Sequence, residues 1–233
     1  MDSIKRTARL AGLLYMLMAI PAAFGLLYVP GRLIVHGDAA ATAQNLLASE
    51  SLFRLGIASE LFSVVIFLLL ALALYRLFEG VSRGQAALMA VLVAVQVPIA
   101  FLNQASSLAA LVVVRDAGSF AAFDEPQQDA LAMLLLRLHD QGTLVCEVFW
   151  GLWLLPLGSL VYRSRFLPRF LGVWLILAGL AYLAMSLTGL LLPQYQAVVS
   201  RVTFPLLLGE IAFMLWLLIV GARPQPTRAP ATA

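Results

Sequence analysis

"ELFSVVIFLLLALALYR", residues 60–76, opens on one acidic residue, closes on one basic residue and carries no charge between them. A half-buried strand alternates apolar and polar positions, and "VVIFLLLALAL" does not. A run of about 20 such residues crosses the hydrocarbon of a bilayer as a helix. There a helix satisfies every backbone group within its own segment. The stretch therefore reads as a transmembrane helix running toward a basic end.

It has a counterpart further on. "EVFWGLWLLPLGSLVYR", residues 147–163, repeats Glu-x-Phe, twelve residues, then Tyr-Arg. A weaker third copy is "EIAFMLWLLIVGAR", where Glu210 stands 13 residues before Arg223. Arg9-Leu-Ala-Gly12 and Arg169-Phe-Leu-Gly172 open two of the intervening spans. Six segments, roughly 8–29, 54–75, 86–114, 142–162, 167–191 and 203–221, are long and apolar enough to cross. The expectation is an all-α, polytopic integral membrane protein with six transmembrane helices arranged as three helical hairpins. One membrane domain, 1–221, precedes a tail, 222–233, whose "RPQPTRAPATA" is too polar and Pro-rich to pack and reads as disordered. The first apolar run is about twice the length of a signal peptide's and lacks a clean cleavage site, so it counts as a span.

Composition agrees. Of 233 residues 62% are hydrophobic and 12% charged, about half the charge of a soluble domain. The lone Cys146 excludes an internal disulfide and a multi-cysteine metal site and reads as a small helical filler. The net charge of +3 is spread singly, with no nucleic-acid patch. The partner implied is the lipid bilayer. No pattern names a cofactor, and nothing indicates an oligomeric state. With the N-terminus in the cytoplasm, ten basic residues fall inside and Arg32, Arg54, Arg115, Arg137 and Arg201 outside. This is the sense of the positive-inside rule and predicts a multi-pass protein of the bacterial inner membrane with both termini cytoplasmic.

Sixteen helical residues separate Glu60 from Arg76 and Glu147 from Arg163, so both carboxylates lie about 24 Å above the inner arginines. Glu210 is a little deeper, and Asn103 and Gln104 reach a similar level on the third span. With His139 and Asp140 just ahead of Glu147, these seven residues form an expected polar layer in the outer leaflet. Two capped helices overhang it. One follows Asp38, and the other follows Asp124, with Gln127 completing a capping box. A helix unbroken from there to Tyr162 is too long for a bilayer, which predicts a bend near Asp140-Gln-Gly142.

Three readings compete for the polar layer. Arg54, Arg137 and Arg201 could neutralise Glu60, Glu147 and Glu210 and fix helix register only. The seven residues could instead hold a cation, a proton or a small polar or amphipathic ligand. Lastly, His139, Asp140 and Glu147 could ligate a metal or act as acid and base. The chain has two histidines, however, and neither a His-Glu-x-x-His nor a Gly-x-Ser-x-Gly. Binding is preferred over catalysis. Gly151 and Gly158, and Gly172 and Gly179, lie seven apart on adjoining spans and predict close helix packing. Pro21, Pro98, Pro156 and Pro205 should bend theirs. The four tryptophans suggest no aromatic box.

Residues 149–183, "FWGLWLLPLGSLVYRSRFLPRFLGVWLILAGLAYL", resemble a bacterial family of uncharacterised membrane proteins, domain of unknown function 4386. The likeness rests on His139, Gly142, Phe149, Gly151, Leu152, Trp153, Leu154, Leu155, Pro156, Leu157 and Gly158. It continues through Tyr162, Ser164, Phe166, Leu167, Pro168, Leu171 and Gly172, with Trp150 departing from an expected phenylalanine. "RLAGLLYML" and "NQASSLAAL" are in keeping. The resemblance implies a six-span fold and no activity.

Overall fold

The computed structural model describes residues 2–222 except 117, 119 and 121. Among them there is no strand. Helix α1 (Asp2–Ala23) passes through one π-helical turn, Phe24–Tyr28, into α2 (Val29–Leu33). There follow α3 (Ala39–Ala48), α4 (Glu50–Phe78), α5 (Arg83–Arg115), α6 (Glu125–Arg163), α7 (Arg169–Leu191) and α8 (Gln196–Ile219). Six helical stretches are long and apolar enough to cross a membrane: Ile4–Leu33, Glu50–Phe78, Arg83–Arg115, Glu125–Arg163, Arg169–Leu191 and Pro193–Ile219. Each spanning helix packs on its neighbour in the chain, and α8 returns to α1. The six therefore form a ring in the order α1, α4, α5, α6, α7, α8.

Local chemistry sets the ends. Asp38 accepts from the Ala41 N–H at the start of α3. The capping box of α6 is complete, with Asp124 accepting from Gln127 N–H and Gln127 Oε1 accepting from Asp124 N–H. Gly221 ends α8 at φ +73, a left-handed conformation open to glycine, with its N–H bonded to Trp216 O. Ala222 is buried in the core, and the rest of the expected tail, 223–233, lies outside the described residues.

A bend was expected near Asp140-Gln-Gly142, and the helix is continuous through it. Helix α6 runs unbroken for 39 residues, about 58 Å at 1.5 Å per residue. Gly142 is a contact here rather than a stop: a Cβ added to it would meet Asn103 Oδ1 at 1.9 Å. The excess length stays covered because Ala132 and Leu136 pack with Leu46, Phe53, Ala110 and Leu111 in a second core cluster. The long helix thus rises past the spans to carry α3. The main cluster lies at the opposite end, around Trp153, Leu157, Phe78 and Phe213.

Glycines bring α6 and α7 together backbone to backbone. A Cβ on Gly158 would meet Gly172 O at 2.6 Å, and one on Gly151 would meet Gly179 O at 2.7 Å. A carbonyl at that distance cannot swing aside as a side chain can. Gly158→Leu should therefore lower unfolding stability by at least the overpacking cost of about 1–3 kcal/mol. Gly31→Leu, where a new Cβ meets nothing within 4 Å, should stay within about 0.5 kcal/mol of wild type. Thermal unfolding in detergent micelles of the two variants side by side checks this.

Candidate binding site

A cavity of about 430 Å³ lies inside the helix ring. Its aromatic wall is Tyr15 of α1, Phe67 of α4, Trp150 and Trp153 of α6 and Tyr182 of α7. Phe67 meets Trp153 edge-on at 4.9 Å, and Trp150 meets Tyr182 at 5.8 Å. Sequence inspection suggested no aromatic box. Helical spacing of Trp150 and Trp153, with partners from three other helices, assembles one.

The polar groups form two knots on this wall. In the first, the Gln104 amide donates to Glu60 Oε2, and His139 Nε2 lies 3.8 Å from the same oxygen. His139 Nδ1 is 3.3 Å from Asn103 O. Asn103 Nδ2 donates to His139 O at 3.0 Å and to Thr143 Oγ1 at 3.3 Å. This exchange ties α5 to α6 where Gly142 lets Asn103 close in. Glu60 in turn packs on Gly25 in the π-helical turn, where a Cβ would meet its Cγ at 2.4 Å. In the second knot, Tyr15 O–H donates to Glu210 Oε2, and Tyr182 lines the cavity with them.

The seven residues singled out from sequence are thus divided. Glu60, Asn103, Gln104 and Glu210 line the cavity. His139 stands behind Glu60 and, with Asp140, lines a separate small crevice beside Gly25 and Gly56. Glu147 lines neither. It lies on the stripe of α6 shared by Leu144 and Gly151, which faces Gly189, Gly179 and Leu183 of α7. One of its oxygens, Oε2, is buried without a hydrogen-bond partner. The expected single layer of three like carboxylates does not form, because equal depth on three helices does not fix which way each side chain turns.

The arginine pairing does not occur among the described residues. Arg54 binds Glu50 at 2.7 Å, one turn back on its own helix, and Arg115 joins it at 3.2 Å. Arg137 and Arg201 are exposed. Hydrogen-bond donors without charge take their place: an amide for Glu60, a phenol for Glu210. Tyr15 and Tyr182 were missed from sequence. The available signal was their position well inside the spans, since membrane tyrosines collect at the interfaces and a buried phenol needs a partner.

Two further polar groups sit in the cavity wall. Gln96 is 2% exposed and Gln104 5% exposed, and the Oε1 of each is buried with no donor. No three His, Cys, Asp or Glu side chains among the described residues converge to hold a metal ion.

A family description, Domain of unknown function (DUF4386), matches residues 10–221, and the chain belongs to that family. An uncharacterised protein of Archaeoglobus fulgidus is 31% identical over 94 residues, covering 38% of this chain and 55% of that protein. The chain thus spans about half the length of this relative. No solved structure matches.

The geometry separates the charges that matter from those that do not. Arg54→Gln, Arg137→Gln and Arg201→Gln should each change stability by less than about 0.5 kcal/mol, as exposed charges do. Tyr15→Phe, which strips the phenol from a buried carboxyl, should cost about 1–3 kcal/mol. Denaturant unfolding of the four variants measures both.

Proposed function

We propose that this membrane protein binds a small amphipathic ligand, with a hydrogen-bond-donating or cationic head, in the cavity between its helices. The observation that carries this reading is the surplus of acceptors. Glu60 and Glu210 bring two carboxyls to the wall, and Gln96 and Gln104 bring two carbonyls with no donor. A buried acceptor left unpaired costs about 1–3 kcal/mol, and intramembrane ionisable groups commonly mark substrate or ion paths. A ligand rich in N–H or O–H groups supplies further donors beside Glu60 and Glu210 and, once the amides turn toward it, donors for the two carbonyls. The remaining wall is aliphatic and aromatic and suits an apolar body. At about 430 Å³ the space falls within the range of small-molecule sites.

The same reading places the ligand site in the outer leaflet. Lys5, Arg6, Arg9, Arg76, Arg83, Arg163, Arg165 and Arg169 gather at one end of the ring, where Arg9 also bonds Ile219 O at 3.2 Å. By the positive-inside rule that end, with both termini, faces the cytoplasm of a cell's inner membrane. Helices α3 and the start of α6 then cover the outer face. The Glu60 and Glu147 repeats are read as the remains of a three-hairpin ancestry. A one-sided binding role is favoured over transport, because the basic end of the ring is filled by the main core cluster.

Trp150 and Trp153 provide the test. With Trp174→Phe and Trp216→Phe as background in phosphatidylcholine nanodiscs, 12-bromododecylammonium should quench their emission saturably. The equally long 12-bromododecyl sulfate should give only the linear quenching of a membrane solute. Gln96→Leu together with Gln104→Leu should weaken the ammonium compound about tenfold or more, about 1.4 kcal/mol. The ligand-free single variant Gln96→Leu, which leaves the bond from Gln104 to Glu60 in place, should unfold at a higher temperature than its parent, because one unpaired carbonyl is gone. Equal quenching by both amphiphiles, unaffected by the double change, overturns the assignment.

A further inference from the structure

We infer that the ligand reaches the cavity sideways from the lipid, through the seam between the second half of α1 with its π-helical turn and the first half of α8. This rests on the binding reading above and adds the route, and with it the class of ligand: a single-chain amphiphile dissolved in the bilayer.

Exposure around the ring carries the inference. The wall residues from α4, α5, α6 and α7 are all buried or half-buried. The wall residues that are also exposed on the outside of the ring are Ala23 and Leu27 on one side, and Phe204, Leu208 and Ile211 on the other. Leu27 is 72% and Phe204 61% exposed, so these side chains border both the cavity and the lipid-facing surface.

The two helices are pinned at the far end only. A Cβ on Gly12 would meet Leu218 N at 2.4 Å, and Tyr15 packs edge-on against Phe213 at 6.3 Å while binding Glu210. Past Tyr15, the facing residues Met18, Ala19, Ala22 and Leu26 of α1 and Leu207 and Met214 of α8 belong to the cavity wall. The helices therefore meet like a pair of tongs, closed at Gly12 and parted beyond Tyr15. The parted arm of α1 holds Pro21 and the π-turn, and that of α8 holds Pro205. Both features interrupt the regular hydrogen-bond ladder and let a helix lean away.

An alkyl chain in the neighbouring lipid meets this seam along its length. A head group sliding between Ala23 and Leu208 enters beside Glu60, Gln104 and Glu210 without first crossing the cap made by α3 and α6. The polar head exchanges the membrane interface for the carboxyls of Glu60 and Glu210, and the chain never leaves an apolar medium.

Stopped-flow quenching of Trp150 and Trp153 by 12-bromododecylammonium tests the route. Ala23→Phe, which fills the seam, should slow both loading and release about fivefold or more. Leu27→Ala with Phe204→Ala, which widens it, should speed both by a similar factor. In each case loading and release should move in the same direction, because a passage alters rates both ways, whereas the loss of a wall contact raises release alone. Truncating two exposed side chains leaves the core intact, so the widening variant remains readable if the bulky one folds poorly. Absence of saturable quenching in the parent protein refutes the binding reading itself. Saturable quenching whose rates ignore both seam variants refutes the lateral route alone.

Discussion

Inside hydrocarbon there is no water to take up an unused hydrogen-bonding group, so each polar atom in this bundle must find its partner in the protein or remain costly. That constraint organises the middle of the molecule. Glu60 is held by the Gln104 amide and backed by His139; Glu210 is held by the Tyr15 phenol. Helix α5 is fastened to α6 by the exchange between Asn103 and the His139 turn. The ring can stay open around a cavity because these bonds, and the glycine contacts of α6 with α7, hold it elsewhere. What the constraint leaves unsettled is equally informative. The carbonyls of Gln96 and Gln104 are buried with nothing to accept from.

Much of the architecture was legible from residue pattern. Hydropathy marks six spans because a bilayer demands length and apolarity and little else. The capping box at Asp124 and Gln127 was readable because its chemistry is local, and the pairing of Gly151 with Gly179 and Gly158 with Gly172 because period seven returns to one helix face. Glu60 and Glu147, matched residue for residue in the repeat, were expected to share an environment. One faces the cavity and the other faces α7, since facing direction depends on how each helix is rotated within the ring. Gly142 was expected to bend α6; the side chain that fills its notch comes from Asn103, nearly 40 residues away, and no local pattern announces it. One of the three readings had the arginines neutralise the carboxylates, yet a phenol and an amide hydrogen-bond them instead, at lower desolvation cost than a buried ion pair.

Stability and openness are divided between the two ends of the ring. The basic end is packed with Trp153, Leu157, Phe78 and Phe213, and there α1 and α8 touch. The other end parts into a cavity, bears the lattice-breaking π-turn and prolines, and is spanned from outside by α3 on the overlong α6. A bundle built for cohesion alone has no reason to bury acceptors without donors or to leave an aromatic-walled space between its helices, and functional sites often carry such costs.

The central claim is that this space belongs to a donor-headed amphiphile. Native mass spectrometry of the protein released from its own membrane in mild detergent tests it most directly. One retained molecule per chain, bearing an amine or several hydroxyls and displaced when Gln96→Phe fills the cavity, is the predicted result. Bare protein, or ordinary phospholipid retained equally by wild type and Gln96→Phe, would contradict the account.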